Sequence, residues 1–351
     1  MKALVLSGGM GIRLRPFTHS SPKQLVPVAG KAVLEHVLNN IRETGITEIG
    51  IVVGDSGDRI SEAIGDGSRF GARITYIHQE EPLGLAHCVV VAREFLGDDD
   101  FLMYLGDNML PEGITSVARS FAKERPPAQI VVQKVADPGA FGVAEVDAEG
   151  TVVRLVEKPV TPVSDLALIG VYFFTAAIHE AVASIEPSPR GELEITDALQ
   201  WLVGRGVTVK AAKYTGYWQD TGQIDGVLEC NRRVLEKLRQ DLSGEVDGAS
   251  RLTGAVVVEP GARVVRSRIE GPAIIGAGSV VTDSHVGRYT SIGRRCELRD
   301  TQIGDSIVLD GSTVADLRGV TGSLIGRSAS VHASRHHRLI IGDDSNVGIA
   351  S

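Results

Sequence analysis

The chain has 351 residues, 43% of them hydrophobic, and a formal net charge of −8. That length leads to an expectation of two domains, with apolar content ample for packed cores. The acidic balance, with no basic stripe carrying interleaved aromatics, excludes a general nucleic-acid-binding role, and no apolar run approaches the roughly 18 residues of a membrane span. Cys88, Cys230 and Cys296 are far apart and in no zinc-like spacing, and the N-terminus opens in a strand-like run with no signal-peptide pattern. Both features lead to the expectation of a cytoplasmic protein with reduced thiols.

Residues 3–6 form a short apolar run, expected as a buried parallel strand. The run breaks into Ser7-Gly8-Gly9-Met10-Gly11, where glycines let backbone N–H groups come close to a phosphate without a Cβ in the way. Arg13, Arg15 and Lys23 follow. A strand, a glycine loop and nearby cations describe a place for a polyphosphate; a plain surface turn with solvated arginines fits the same residues. The spacing is neither G-x-G-x-x-G nor a P-loop.

Apolar residues at Val33, Leu34, Val37, Leu38 and Ile41 make a helical stripe over 33–43, and Gly45 ends it. Strands are expected at 48–53, 73–78 and 101–105, separated by helices at 59–64 and from Leu85 through Phe95. The third of these strands ends at Gly106-Asp107-Asn108. This alternation predicts a doubly wound α/β sheet with functional loops at the strand carboxyl ends. Strands then crowd together at 130–135, 142–146, 152–156 and 168–174, followed by helices at 176–184 and 194–203 and a strand at 207–212. A compact turn at 217–222 leads into a charged helix over 224–240. Residues 243–251 read as a linker, dividing the chain into domains 1–242 and 252–351.

Beyond the linker, Val258, Val264, Ile269, Ile274, Val280, Val286, Ile292, Leu298, Ile303 and Leu309 recur at intervals of five or six. Such a hexapeptide period predicts a parallel β-helix, each apolar residue pointing into a triangular prism. The period loosens after Ala315, with one final turn expected at 341–348 and a loop at Arg335-His336-His337-Arg338.

Several motifs occur together in one order. They are Gly8-Gly9-Met10-Gly11-Ile12-Arg13-Leu14-Arg15-Pro16 with Pro22-Lys23, Gln79-Glu80-Glu81-Pro82-Leu83-Gly84-Leu85-Ala86, Leu105-Gly106-Asp107-Asn108 and Glu157-Lys158-Pro159. Gly170-Val171-Tyr172-Phe173-Phe174, Arg190-Gly191-Glu192-Leu193-Glu194-Ile195-Thr196-Asp197 and Trp218-Gln219-Asp220-Thr221-Gly222 complete the set. On these motifs the chain resembles the sugar-1-phosphate nucleotidyltransferases, and among them the long glucose-1-phosphate thymidylyltransferases, over nearly its whole length. Ile12 departs from the threonine usual in that family. The resemblance implies a Rossmann-like, doubly wound mixed sheet followed by a left-handed parallel β-helix.

It also implies Mg²⁺-dependent transfer of a thymidylyl group from dTTP to glucose 1-phosphate, giving dTDP-glucose and pyrophosphate, with UTP left open as an alternative donor. A sugar phosphate is mostly dianionic near neutral pH, so it can attack the α-phosphorus in line without a general base. Catalysis is then positioning and charge neutralisation. The family's pattern assigns Asp107 and Asp220 to the metal, and Arg13 and Lys23 to the triphosphate with Gly8, Gly9 and Gly11. Lys158 would hold the attacking phosphate, with Arg190 as a second clamp. Glu157, Asn108, Gly142, Tyr172 and Trp218 would surround the sugar. Gln79 is expected to read the base, one amide donor and one acceptor matching the imide edge of thymine or uracil, with Gly84 letting backbone approach it. Arg15 remains open as a further phosphate contact or a solvated charge.

Two other readings stay open. One is a bifunctional uridylyl- and acetyltransferase acting on amino sugar phosphates, for which His285, His332, His336 or His337 would supply a base. The other is a non-catalytic scaffold with the same fold. A homo-oligomer built on the flat faces of the β-helix is expected, and no nucleic-acid or membrane partner.

Overall fold

The computed structural model describes residues 1–9 and 11–333. The chain divides into two compact units, Met1–Lys237 and a second that begins at Leu238. Among the described residues no helix is long and apolar enough to cross a membrane.

The first unit is built on a nine-stranded mixed sheet. Its strands are β1 (Lys2–Leu6), β2 (Glu48–Val53), β3 (Arg73–His78), β4 (Phe101–Leu105), β5 (Ala128–Lys134), β6 (Gly142–Val146), β7 (Val152–Glu157), β8 (Leu166–Phe174) and β9 (Val209–Lys213). They run in the order β7-β6-β8-β4-β1-β2-β3, with β5 joining β8 and β9 joining β5. The strands β4, β1, β2 and β3 are parallel, whereas β8 runs antiparallel to β4, β5 and β6.

Parallel strands covered on both faces read as continuous apolar runs, as in β1 and β4. Their period of two sends Ala3 and Val5 to one face and Leu4 and Leu6 to the other. The helix Val33–Glu43 covers the first face with all five of its expected apolar residues fully buried. The helices Leu85–Val91 and Ile195–Gly204 cover the second. Register then places the working loops at one edge. Leu6 pairs with Val52 and Leu105, and Val53 with His78, so the loops after β1, β3 and β4 deliver Gly8, Gln79 and Asp107 to the same carboxyl end.

Some boundaries differ from expectation. The last helix of this unit, Ile224–Leu235, stops short of Gln240. The expected linker is instead structured. Asp241–Leu242, Glu245–Val246 and Arg251–Thr253 are strands, each paired in parallel with the coil that follows. Their polar character hid them, because the first coil of a stack has a neighbour on one side only.

The second unit is three parallel sheets, the arrangement of a left-handed β-helix. Its core contains Val264, Ile269, Ile275, Val281, Val286, Ile292, Leu298, Ile303, Val308 and Val314. Ile275, Val281 and Val308 replace the expected Ile274, Val280 and Leu309. Each pair is two adjacent apolar residues, and a shift of one residue exchanges the inward and outward faces. With those corrections, the intervals from Ile269 to Leu298 follow a steady six-six-five pattern. Coils continue past Ala315, through Leu324–Ile325 and Ser330–His332. The turn expected at 341–348, and His336 and His337, lie outside the described residues.

A ladder of hydroxyls closes one corner of the prism. Ser250 Oγ accepts from the amide of Ser267, Ser267 Oγ from Ser284, and Ser284 Oγ from Thr301, each 17 residues on. Ser267 and Ser284 are buried, so these bonds satisfy amides that water cannot reach. Cys88, Cys230 and Cys296 are free and buried. Burial pushes the thiols of Cys88 and Cys230 up to about 12, which leaves both unreactive.

Ser267→Ala removes the acceptor without adding bulk to the buried corner and leaves the buried amide of Ser284 unpaired. A loss of about 1–3 kcal/mol is expected, read as a lower denaturant midpoint for the second unit's transition.

Candidate active site

A cavity of about 740 Å³ in the first unit is lined by Arg13, Asn108, Gly142, Glu157, Lys158, Tyr172, Trp218 and Asp220. The sheet brings them together. Gly142 and Glu157 are partners in the β6–β7 register. Tyr172 lies in β8, buried and stacked on Phe174. Burial, and secondarily the charge of Glu157, push its hydroxyl pKa up. Trp218 meets Phe141 edge-on, with ring centroids 5.2 Å apart. Asn108 is buried and donates from Nδ2 to the Ile169 carbonyl at 2.6 Å. Its backbone pairs with Asp220 in a two-stranded ribbon of Asn108–Met109 and Gln219–Asp220.

Lys158 has φ = 40°, in the left-handed region that a lysine seldom adopts. Its amide donates to the Phe141 carbonyl at 3.0 Å. Pro159 follows it, and proline restricts the residue before it. The backbone at Lys158 is thus held in a costly conformation beside the cavity. Arg190 is not among the lining residues. Its guanidinium pairs with Glu194 at 2.6 Å and lies 3.5 Å from Glu157.

A second cavity of about 370 Å³ in the same unit is lined by Gly8, Gly9, Arg15, Arg59, Gln79 and neighbours. Arg15 therefore accompanies the glycine loop. Lys23 packs against that loop, because a Cβ on Gly9 would lie 3.3 Å from its Nζ. Gly11, at φ = 64°, accepts a hydrogen bond from Thr18 Oγ1 through its carbonyl and lines neither cavity.

Two ion pairs lie near the glycine loop and the first cavity: Lys23 packs against Gly9, and Arg13 and Asp220 line the first cavity. Lys23 forms an ion pair with Asp107. Arg13 Nη2 lies 3.8 Å from Asp220. The Thr221 amide and hydroxyl both donate to the Asp107 carbonyl, at 3.1 and 2.7 Å, which ties the two acidic segments together. Burial raises the Asp220 pKa, and the negative charge of Asp107 raises it further, against the opposing pull of Lys23 and Arg13. Among the described residues no group of three or more acidic, histidine or cysteine side chains gathers to hold a metal. Two carboxylates that repel one another do fit a hard divalent cation that completes its shell with phosphate oxygens and water.

Several supporting residues carry signals that the motifs alone did not assign. Thr196 Oγ1 donates to Glu157 Oε2 at 2.7 Å, and buried Glu194 holds Arg190. Both lie within the quoted motif that starts at Arg190. His87, three residues after Gly84, contacts Gln79 at 2.9 Å. Gly84 has φ = 106°, and a Cβ there would lie 2.5 Å from the Leu193 carbonyl. Its backbone therefore meets another loop of the protein, a constraint independent of any ligand.

The nucleotidyl transferase family profile matches residues 2–237. The chain belongs to the nucleotidyl transferase family. Over its full length it is 52% identical to glucose-1-phosphate thymidylyltransferases of Streptomyces griseus and Streptomyces antibioticus, each also covered in full. A solved Bacillus anthracis chain, described as a glucose-1-phosphate thymidylyltransferase candidate in complex with a sucrose, aligns with a TM-score of 0.62 at 31% identity. That alignment covers 67% of this chain and 95% of the other.

Asp220 binds its proton more tightly folded than unfolded, so its contribution to stability is lost as pH rises through its raised folded pKa. Asp220→Asn, which keeps the acceptor for the Gly222 amide, is expected to melt higher than the wild type near neutral pH. The difference should close in acid, where both side chains are neutral; thermal melts across pH check it.

Proposed function

We propose that the protein transfers a thymidylyl group from dTTP to glucose 1-phosphate, releasing pyrophosphate and forming dTDP-glucose. One observation carries the reading. Arg13 and Asp220 line the cavity beside Glu157 and Lys158, while Lys23, paired with Asp107, packs against the glycine loop that lines the cavity beside Gln79. Full-length identity to chains named for this activity supports the choice of substrates.

In this reading Lys158 holds the attacking phosphate, and Thr196 keeps the Glu157 carboxylate aimed at the sugar hydroxyls. Glu194, at the cavity wall, holds Arg190 near Glu157 as a second positive charge for the phosphate. The phosphate dianion attacks the α-phosphorus in line, needing no general base. Lys23 turns from Asp107 to the triphosphate, and Arg13 stabilises charge developing on the leaving pyrophosphate. Asp107 and Asp220 would hold Mg²⁺, which supplies Lewis-acid neutralisation of the phosphate oxygens. The carboxylates answer the metal, and the arginine and lysines answer the phosphates. The β-helix is assigned to self-association through its flat parallel faces.

Purified protein given dTTP, glucose 1-phosphate and Mg²⁺ should release pyrophosphate, and EDTA should abolish release until Mg²⁺ is restored. Lys158→Ala is expected to lower kcat/KM by about 10²–10³-fold with an unchanged melting temperature. Absence of turnover with both dTTP and UTP would overturn the assignment.

A further inference from the structure

Gln79 follows β3 and is buried, and its amide is gripped from one side. Nε2 lies 2.9 Å from His87 Nδ1 and 3.4 Å from the Gly84 carbonyl oxygen. A carbonyl can only accept, so the amide nitrogen faces this loop and the amide oxygen faces away from it. With Nε2 donating there, Nδ1 of His87 accepts, which puts the neutral ring's proton on its Nε2. Both amide hydrogens are then used inside the loop. Oε1 has no donor among the described residues, and it lies against Gly8, 3.4 Å from where a Cβ would project. Gly8 and Gln79 line the second cavity together.

The grip is itself held. Leu193 donates its amide to the Leu83 carbonyl at 2.7 Å and accepts from Ala86 at 3.0 Å. The loop that carries the Gly84 carbonyl and leads to His87 is thereby fixed against a second segment. An amide flip would place Oε1 against the lone pairs of Gly84 O, losing that hydrogen bond, and would keep a bond to His87 only if the ring proton moved to Nδ1.

We propose that His87 is a positioning residue for base choice, locking the Gln79 amide so that it shows the base an acceptor alone. An acceptor takes the N3–H of thymine or uracil, whereas cytosine presents a bare lone pair at N3. A free amide could turn over and serve cytosine, donating to N3 and accepting from the 4-amino group. This replaces the expected use of one donor and one acceptor with a single acceptor whose identity is enforced by its neighbours. It rests on Gln79 as the base-reading residue of the thymidylyl transfer proposed above.

The test measures kcat/KM for dTTP and for dCTP with glucose 1-phosphate fixed. His87→Leu removes the acceptor and should narrow the dTTP:dCTP ratio by about tenfold, while KM for glucose 1-phosphate stays as in the wild type. His87→Ala carries the same expectation should the leucine variant not fold. His87→Asn, whose Oδ1 can stand where Nδ1 stood, should keep the ratio within about threefold of wild type. On a Gln79→Ala background, His87→Leu should change nothing further. An unchanged ratio in His87→Leu, with a wild type active on dTTP, overturns the role of His87. A Gln79→Ala variant with the wild-type ratio overturns the base reading itself, as does a wild type inactive on both dTTP and UTP.

Discussion

Asp107 and Asp220 are held close enough for the charge of one to raise the pKa of the other, and much of the first unit is arranged to keep them there. The β4 strand brings one to the sheet edge, a two-stranded ribbon brings the other, and Thr221 bonds the two segments through the Asp107 carbonyl. Left alone, this juxtaposition is unfavourable, because burial removes the water that would screen it. Lys23 and Arg13 offset part of the cost from the loop after β1. Two carboxylates and two cations thus meet where the proposed chemistry brings a cation and polyphosphate together.

The same logic of supported strain extends around the cavity. Lys158 keeps a left-handed backbone at the end of β7, held by the Phe141 carbonyl and followed by proline. Arg190 is clasped by buried Glu194, and Glu157 by Thr196. These two charged side chains are each held by a neighbouring side chain, which removes the freedom to relax. Gln79, between Gly84 and His87, follows the same pattern on the nucleotide side.

The second unit solves a different problem. A stack of short coils buries backbone amides at its corners, and the serine and threonine ladder pairs them coil by coil. The inward apolar residues need only a shared shape, since each meets an equivalent residue one coil away. That repetition is why a six-six-five rhythm suffices to specify the prism.

How much could be read before folding differs between these levels. Alternation of strands and helices, the helical stripe over Val33–Glu43 and the hexapeptide period are local patterns, and the sequence by itself determined both architectures from them. It also determined which residue types were available for phosphate, metal and sugar, because glycines, cations and carboxylates cluster in ordered motifs. It left the choice between Ile274 and Ile275, or Val280 and Val281, open, since adjacent apolar residues suit either face and only pairing with the neighbouring coil decides. It gave no boundary for the first coil, whose strands are polar. Only the tertiary structure decided that Asp107 and Asp220 repel across a ribbon, that Arg190 answers to Glu194, and that Gln79 spends its hydrogens on Gly84 and His87. Those are contacts between segments far apart in the chain or turned by a single φ angle, and charge, hydrogen-bond direction and amide orientation exist only once both partners are in place.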